Sequence, residues 1–238
     1  MKGSIILKTK THNLELITNK AENFDKIVLC FHGFNGDKWG DSFSKSKKML
    51  NNTLVCSFDS AGHGTSEVLA HHITMDIVLD EIDTVITYLK QSFPTKPIYL
   101  LGVSYGGYRI VAYLIKYKPQ IKKAVLINPA LKMAEILEMI QGFNLKELKE
   151  DDYIVMNYEE NKFLTKQFAQ ELKDCNLYNE KEINYNITII KGTRDSLIPP
   201  IHITEFARKY NKRVVEVNDE HCLENPESWQ TVFKQIDE

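Results

Sequence analysis

Ile98-Tyr99-Leu100-Leu101-Gly102-Val103-Ser104-Tyr105-Gly106-Gly107 is the stretch whose reading decides the fold. An apolar run meets Gly-x-Ser-x-Gly, and an apolar-periodic segment follows at once. Strand, sharp turn, helix is the context in which a serine sits at a nucleophile elbow. The turn is tight enough to strain the serine backbone. Small residues two before and two after the serine, here Gly102 and Gly106, keep neighbouring segments from clashing, and Gly107 adds room. Ile98 to Leu101 reads as a buried central parallel strand. Tyr108 to Lys118 reads as a helix with Ile110, Val111, Leu114 and Ile115 on one face. A plain strand–helix turn carries the bare pattern equally well. The rest of the chain therefore has to supply a base, an acid and an oxyanion hole in a workable order.

The composition sets bounds. A chain of 238 residues fits one large α/β domain or two small ones and buries a sizeable core. With a net charge of −2 and 26% charged residues, it carries no clustered basic footprint for nucleic acid. No apolar run approaches the roughly 18 residues that suggest a membrane span. The apolar stretch in Met1 to Lys8 is too short for a signal peptide. Cys30, Cys56, Cys175 and Cys222 show no C-x-x-C spacing, so neither zinc nor a dithiol motif is indicated. Cys30 and Cys56 fall in core strands as small hydrophobes. Together these features lead to the expectation of a reduced, cytoplasmic protein. The glycosylation patterns at Asn51 and Asn186 then read as chance matches.

Taken in order, residues 4–9 and 13–18 predict an edge hairpin. Ile27 to Phe31 predicts a buried strand ending in the loop His32-Gly33-Phe34-Asn35-Gly36-Asp37. A helix over Asp41 to Leu50 and a strand over Thr53 to Phe58 follow. Next comes the loop Asp59-Ser60-Ala61-Gly62-His63-Gly64-Thr65-Ser66. Thr74 caps a helix that runs to about Ser92. Beyond the elbow, strands are expected at Ala124 to Ile127, Ile187 to Ile190 and Arg213 to Val217. Helices are expected at Ile201 to Tyr210 and Pro226 to Gln235. This alternation is the α/β pattern. Residues 131–184 break it, with helical segments and no convincing strand. The expected organisation is a core of residues 1–130 and 185–238 with a helical cap, 131–184, inserted over the strand ends.

Seven histidines offer a base, but only His221 lies in the loop between the last strand and the last helix. A loop there is free to bring an imidazole within reach of the serine hydroxyl. His202, in a predicted helix, is the second choice. The acid is Asp195, just past the strand Ile187 to Ile190, where a carboxylate can orient the imidazole and stabilise its charged form. The other position for an acid, the end of the preceding core strand, holds Asn128, which does not ionise. Two backbone N–H groups should meet the developing oxyanion. They are assigned to Tyr105 and to Phe34, whose side chain then lines the acyl pocket. Asp59 to Ser66 lacks the Lys-[Ser/Thr] ending of a phosphate loop. It is given a structural role near the site, with no catalytic part for Asp59 or His63. Lys45, Lys47 and Lys48 read as a solvated helix face.

With these residues in hand, the sequence resembles the α/β-hydrolase family over nearly its whole length. The matching residues are His32-Gly33-Phe34, Asp59 to Ser66, Gly102 to Gly107, Gly192 with Asp195, and His221, in the family's order Ser…Asp…His. The resemblance implies a mostly parallel eight-stranded sheet flanked by helices and the triad Ser104, Asp195 and His221. It runs nearest to bacterial carboxylesterases of the cinnamoyl/feruloyl esterase and monoacylglycerol-lipase-like groups. Tyr105 departs from the glutamine common in the cinnamoyl esterases. A serine at the elbow excludes the members that place aspartate there. The single Gly33 before Phe34 resembles the subgroup that takes smaller acyl groups.

The expected activity is carboxylic-ester hydrolysis through an acyl-enzyme on Ser104, with no metal or organic cofactor and a small-molecule ester as substrate. A thioesterase, an aminopeptidase and a C–C bond hydrolase use the same triad. A slow-turnover ligand receptor and a non-catalytic scaffold are rivals of other classes. The inserted segment is expected to set the substrate. Met133, Ile136, Leu137, Met139, Ile140 and Phe143 form an apolar stripe of the sort that ordinarily packs on the body. Tyr153, Met156, Tyr158 and Phe163 are expected to extend an apolar pocket.

Overall fold

The computed structural model describes residues 3–150, 152–157 and 162–238, the side chains of 155–157 and 162 excepted. Eight strands make one sheet: β1 (Ser4–Lys8), β2 (Asn13–Thr18), β3 (Lys26–Phe31), β4 (Thr53–Phe58), β5 (Ile98–Val103), β6 (Lys123–Ile127), β9 (Ile187–Gly192) and β10 (Arg213–Val217). Their spatial order is β1-β2-β4-β3-β5-β6-β9-β10. β1 pairs antiparallel with β2, and β2 antiparallel with β4; every other pair is parallel. This is the mostly parallel eight-stranded sheet that the resemblance implied.

Helices cover both faces. Alternate strand residues point to opposite sides. Ile27, Leu29 and Phe31 of β3 therefore join one core with α2 (Met75–Ser92), α3 (Tyr105–Tyr117) and α6 (Pro200–Tyr210). Val28 and Cys30 join the other, with α1 (Asp41–Met49) and α7 (Pro226–Asp237). Being buried on both faces is why these strands read as continuous apolar runs. Thr74 caps α2 as expected, its side chain accepting from the Ile77 N–H. Among the described residues no helix is long and apolar enough to cross a membrane.

Two expectations need correction. α3 begins at Tyr105, directly after the serine, and not at Tyr108. Gly106 and Gly107 are poor helix formers, and tertiary packing holds them in the helix. Residues 131–184 contain α4 (Met133–Gln141) and α5 (Lys166–Asp174), but also an antiparallel pair of strands, β7 (Tyr153–Asn157) and β8 (Lys162–Thr165). The stretch is thus not purely helical. Four-residue and five-residue strands outside the main sheet leave little period-2 pattern to read.

The chain turns direction across the sheet between β3 and β5: β3 connects outward to β4 on one side, while β5 lies on its other side. Such a switch point opens a crevice at the carboxyl ends of the strands, where α/β proteins bind ligands. The loops after β3 and β5, with Phe34 and Ser104, meet there.

Candidate active site

Ser104 has φ 52° and ψ −115°, a conformation that strains a non-glycine residue. The surroundings hold it. Its N–H donates to Ile127 O at 2.9 Å, and its carbonyl accepts from Gly107 N at 2.9 Å and Ala130 N at 3.1 Å. A Cβ on Gly102 would stand 2.7 Å from the Gly106 carbonyl carbon. One on Gly106 would collide with the carbonyl oxygen of Phe31 and lie 2.8 Å from that of His32. Only glycine permits this approach between the elbow and the end of β3. The Tyr105 N–H, in the first turn of α3, has no acceptor within its own helix and sits at the positive end of the helix dipole.

The loop after β3 is locked by its own side chains. His32 is buried; Ser60 N donates to its Nε2 at 3.1 Å, so Nδ1 carries the proton and donates to Gly33 O at 2.8 Å. Gly36 N donates to the same carbonyl at 3.1 Å. The Gly33–Phe34 peptide is trans, so the Phe34 N–H points the opposite way from the Gly33 carbonyl. The next carbonyl back, that of His32, accepts from Arg109 Nη2 at 2.7 Å.

His221 and Asp195 are brought together. His221 Nδ1 donates to Asp195 Oδ2 at 2.9 Å, which leaves Nε2 as the basic nitrogen. Asp195 Oδ1 accepts from Leu197 N at 2.8 Å and Ile198 N at 3.1 Å, which fixes the carboxylate. Ser104, His221, Gly33 and Phe34 all line one cavity of about 500 Å³. The remaining wall is largely apolar: Val103, Leu197 and, from α4, Met133, Ile136, Leu137 and Ile140. Asn35, Asp41, Gln141 and Cys222 are its main polar groups. Trp39, 59% exposed, is next in the chain to Gly40 and Asp41 on this wall and lies edge-on to Phe43 at 5.8 Å. A groove of about 990 Å³ at the far end of α3 is lined mainly by polar residues and holds none of these groups.

Other expected residues fall elsewhere. His202 is buried in α6, with Nε2 3.4 Å from Glu135, and does not line the cavity. Met139 is 53% exposed on the outer side of α4, so the apolar stripe is narrower than read. Tyr153 and Phe163 pack edge-on to each other and line none of the cavity. Tyr158 and the Met156 side chain lie outside the described residues. Asp59 accepts from Lys38 N and Nζ, both at 2.7 Å, and from Thr65 N at 2.9 Å, which ties its loop to the one after β3. Burial works against the Asp59 charge, but these donors outweigh it and hold the carboxyl below its ordinary range.

Several supporting residues escaped the sequence reading. Asn128, fully buried, donates to His221 O at 2.9 Å and Glu220 O at 3.2 Å, while its Oδ1 accepts from Gly192 N at 2.7 Å. Asp219 accepts from Glu220 N at 2.9 Å, Glu224 N at 3.0 Å and Asn225 N at 2.9 Å. Its burial favours the neutral acid, but those amides and the Ser228 hydroxyl outweigh it and hold the pKa at about 2. Arg109 is fully buried in α3, and burial pulls its pKa below the usual arginine value. One signal could have exposed it: Arg109 is the lone charge between Gly102 and Ile115, a stretch with no polar face to receive it.

Residues 22–166 match the family model described as serine aminopeptidase, S33. A proline iminopeptidase, PfmaB, of Pestalotiopsis fici is 30% identical over 105 residues, 44% of this chain and 36% of that protein. A proline iminopeptidase of Thermoplasma volcanium is 29% identical over 108 residues, 45% and 36%. The matched part thus spans about a third of the length of these curated relatives. Among solved structures, Est1E from Butyrivibrio proteoclasticus with ferulic acid bound superposes with a TM-score of 0.81 at 18% identity, over 98% of this chain and 100% of that one. A soluble variant of monoglyceride lipase from Saccharomyces cerevisiae superposes with a TM-score of 0.71 at 16% identity, over 98% and 92%. At such identities these two likenesses show the fold.

Proposed function

Because the chain belongs to the α/β-hydrolase family described as serine aminopeptidase, S33, we propose that it hydrolyses carboxylic esters through an acyl-enzyme on Ser104. The observation that carries this reading is the His221–Asp195 hydrogen bond of 2.9 Å on the wall of the cavity that also holds Ser104. In this reading His221 Nε2 takes the proton from Ser104, which attacks the ester carbonyl. The N–H groups of Phe34 and Tyr105 receive the oxyanion, each worth about 3 kcal/mol of transition-state stabilisation. His221 then protonates the leaving alcohol, and water repeats the sequence on the acyl-enzyme. The residues 131–184 act as a cap. Ile136, Leu137 and Ile140 of α4 offer the acyl chain an apolar wall, which suits a small-to-medium acyl or aromatic group. The cytoplasmic assignment belongs to the same proposal and is supported by four unpaired cysteines, two of them buried.

A second reading, an aminopeptidase, is favoured by the family description and by the Asp41 carboxylate on the cavity wall, a group suited to a substrate ammonium. Fluorophosphonate labelling with peptide mass spectrometry tests the nucleophile. The expected result is a single adduct on Ser104, absent in Ser104→Ala and strongly slowed in His221→Ala. A panel of acyl esters from two to eight carbons beside aminoacyl amides then decides the substrate. Good turnover of amides with poor turnover of every ester would replace the first reading with the second. A folded protein that takes no label would sink both.

A further inference from the structure

We infer that Arg109 is a positioning residue for the oxyanion hole, tying the loop that carries the Phe34 N–H to the helix that carries the Tyr105 N–H. The inference rests on the acyl-enzyme reading above. The two proposed donors come from separate elements, the loop after β3 and the first turn of α3. Their spacing must therefore be set by something that crosses between them. Arg109 crosses. From one turn into α3 it donates through Nη2 to His32 O at 2.7 Å. Its guanidinium carbon lies 4.9 Å from the Tyr105 ring centre and 5.7 Å from that of Phe31, the residue that leads into the loop. A charged donor on a carbonyl is among the stronger hydrogen bonds.

A purely structural arginine is the competing account, and the structure argues against it. The residue is fully buried, and its Nε and Nη1 have no hydrogen-bond partner among the described residues. A buried cation with two idle donors is a poor way to fill space, because apolar residues of similar volume commonly serve stability as well or better. What an apolar side chain cannot do is hold the His32 carbonyl. That carbonyl is one peptide before the Gly33–Phe34 unit, whose own carbonyl is held by His32 Nδ1. Two successive peptides are thus pinned, the first of them from α3.

The test compares wild type, Arg109→Met and Arg109→Lys in three measurements. These are kcat and KM on a butyrate ester, the inhibition constant of an alkyl boronic acid that forms a tetrahedral serine adduct, and thermal unfolding. A displaced donor should lower kcat by about 10- to 100-fold in Arg109→Met with KM changed less than about threefold. Boronate affinity should fall in parallel with kcat. Arg109→Lys, which keeps a charged donor but loses the planar fork, should fall between the two in both readouts. Wild-type kcat and boronate affinity in folded Arg109→Met would overturn the inference. So would a kcat loss that only follows the unfolded fraction while boronate affinity per folded site is unchanged. Should Arg109→Met not fold, Arg109→Lys decides: reduced boronate affinity at unchanged KM supports the role, and a wild-type value overturns it. Wild-type protein that takes no fluorophosphonate on Ser104 would instead sink the acyl-enzyme reading, and this inference with it.

Discussion

Asn128 stands at the strand end where an acid could have stood, and its amide does a job a carboxylate could not. It donates to two carbonyls of the His221 loop while accepting from Gly192. A carboxylate has no proton to give those carbonyls at neutral pH. Asp219 holds the same loop from the other side with three backbone amides. This is a case for linkage, and the sign follows from the depressed pKa of about 2. A carboxyl held below its unfolded value adds stability at pH above the unfolded pKa and loses it as pH falls toward the folded one. Asp219→Asn should therefore melt well below wild type at pH 6, with the gap closing between about pH 4 and pH 2. Melting curves across that range check this, and a gap independent of pH would contradict it. In the sequence Asn128 was marked only as a residue that does not ionise, and Asp219 was given no role. Their partners are main-chain atoms of a loop whose path no periodicity encodes.

At the scale of elements, what was legible followed from pattern. β3, β4, β5, β6 and β9 are buried on both faces, so their composition alone marked them. α2 showed both its period and its Thr74 cap. The triad candidates were legible because each follows a strand that could be read. The stretch between β6 and β9 was not, because β7 and β8 are short and pair only with each other. α4 was half legible: its apolar face was found, but Met139 was counted on it and is exposed. That face carries a prediction. Ile140 lines the cavity and is 46% exposed, so added bulk has room to enter the pocket without crowding the core. Ile140→Trp should lower kcat/KM for octanoyl esters about tenfold relative to acetyl esters, the scale set by one to a few excluded methylenes. An unchanged ratio would mean that α4 does not border the acyl chain.

The whole molecule places the candidate site at one end of a sheet that is buried on both sides. The two cores are walled off from each other by the strands. The site lies where the strand order reverses, and the loops after β3, β5 and β9 all reach it from the same end. The chain carries two tryptophans, and the fold puts them in opposite circumstances. Trp229 is 1% exposed, with its indole N–H bonded to Leu223 O at 2.7 Å. Trp39 stands in solvent beside the cavity wall. The protein therefore has its own optical pair: one emitter that ignores the solvent and one that samples it next to the binding cavity. Acrylamide should quench about half the emission readily and the rest poorly. A ligand seated against Asp41 should shield the quenchable part alone, so occupancy of the cavity can be followed in light without any label.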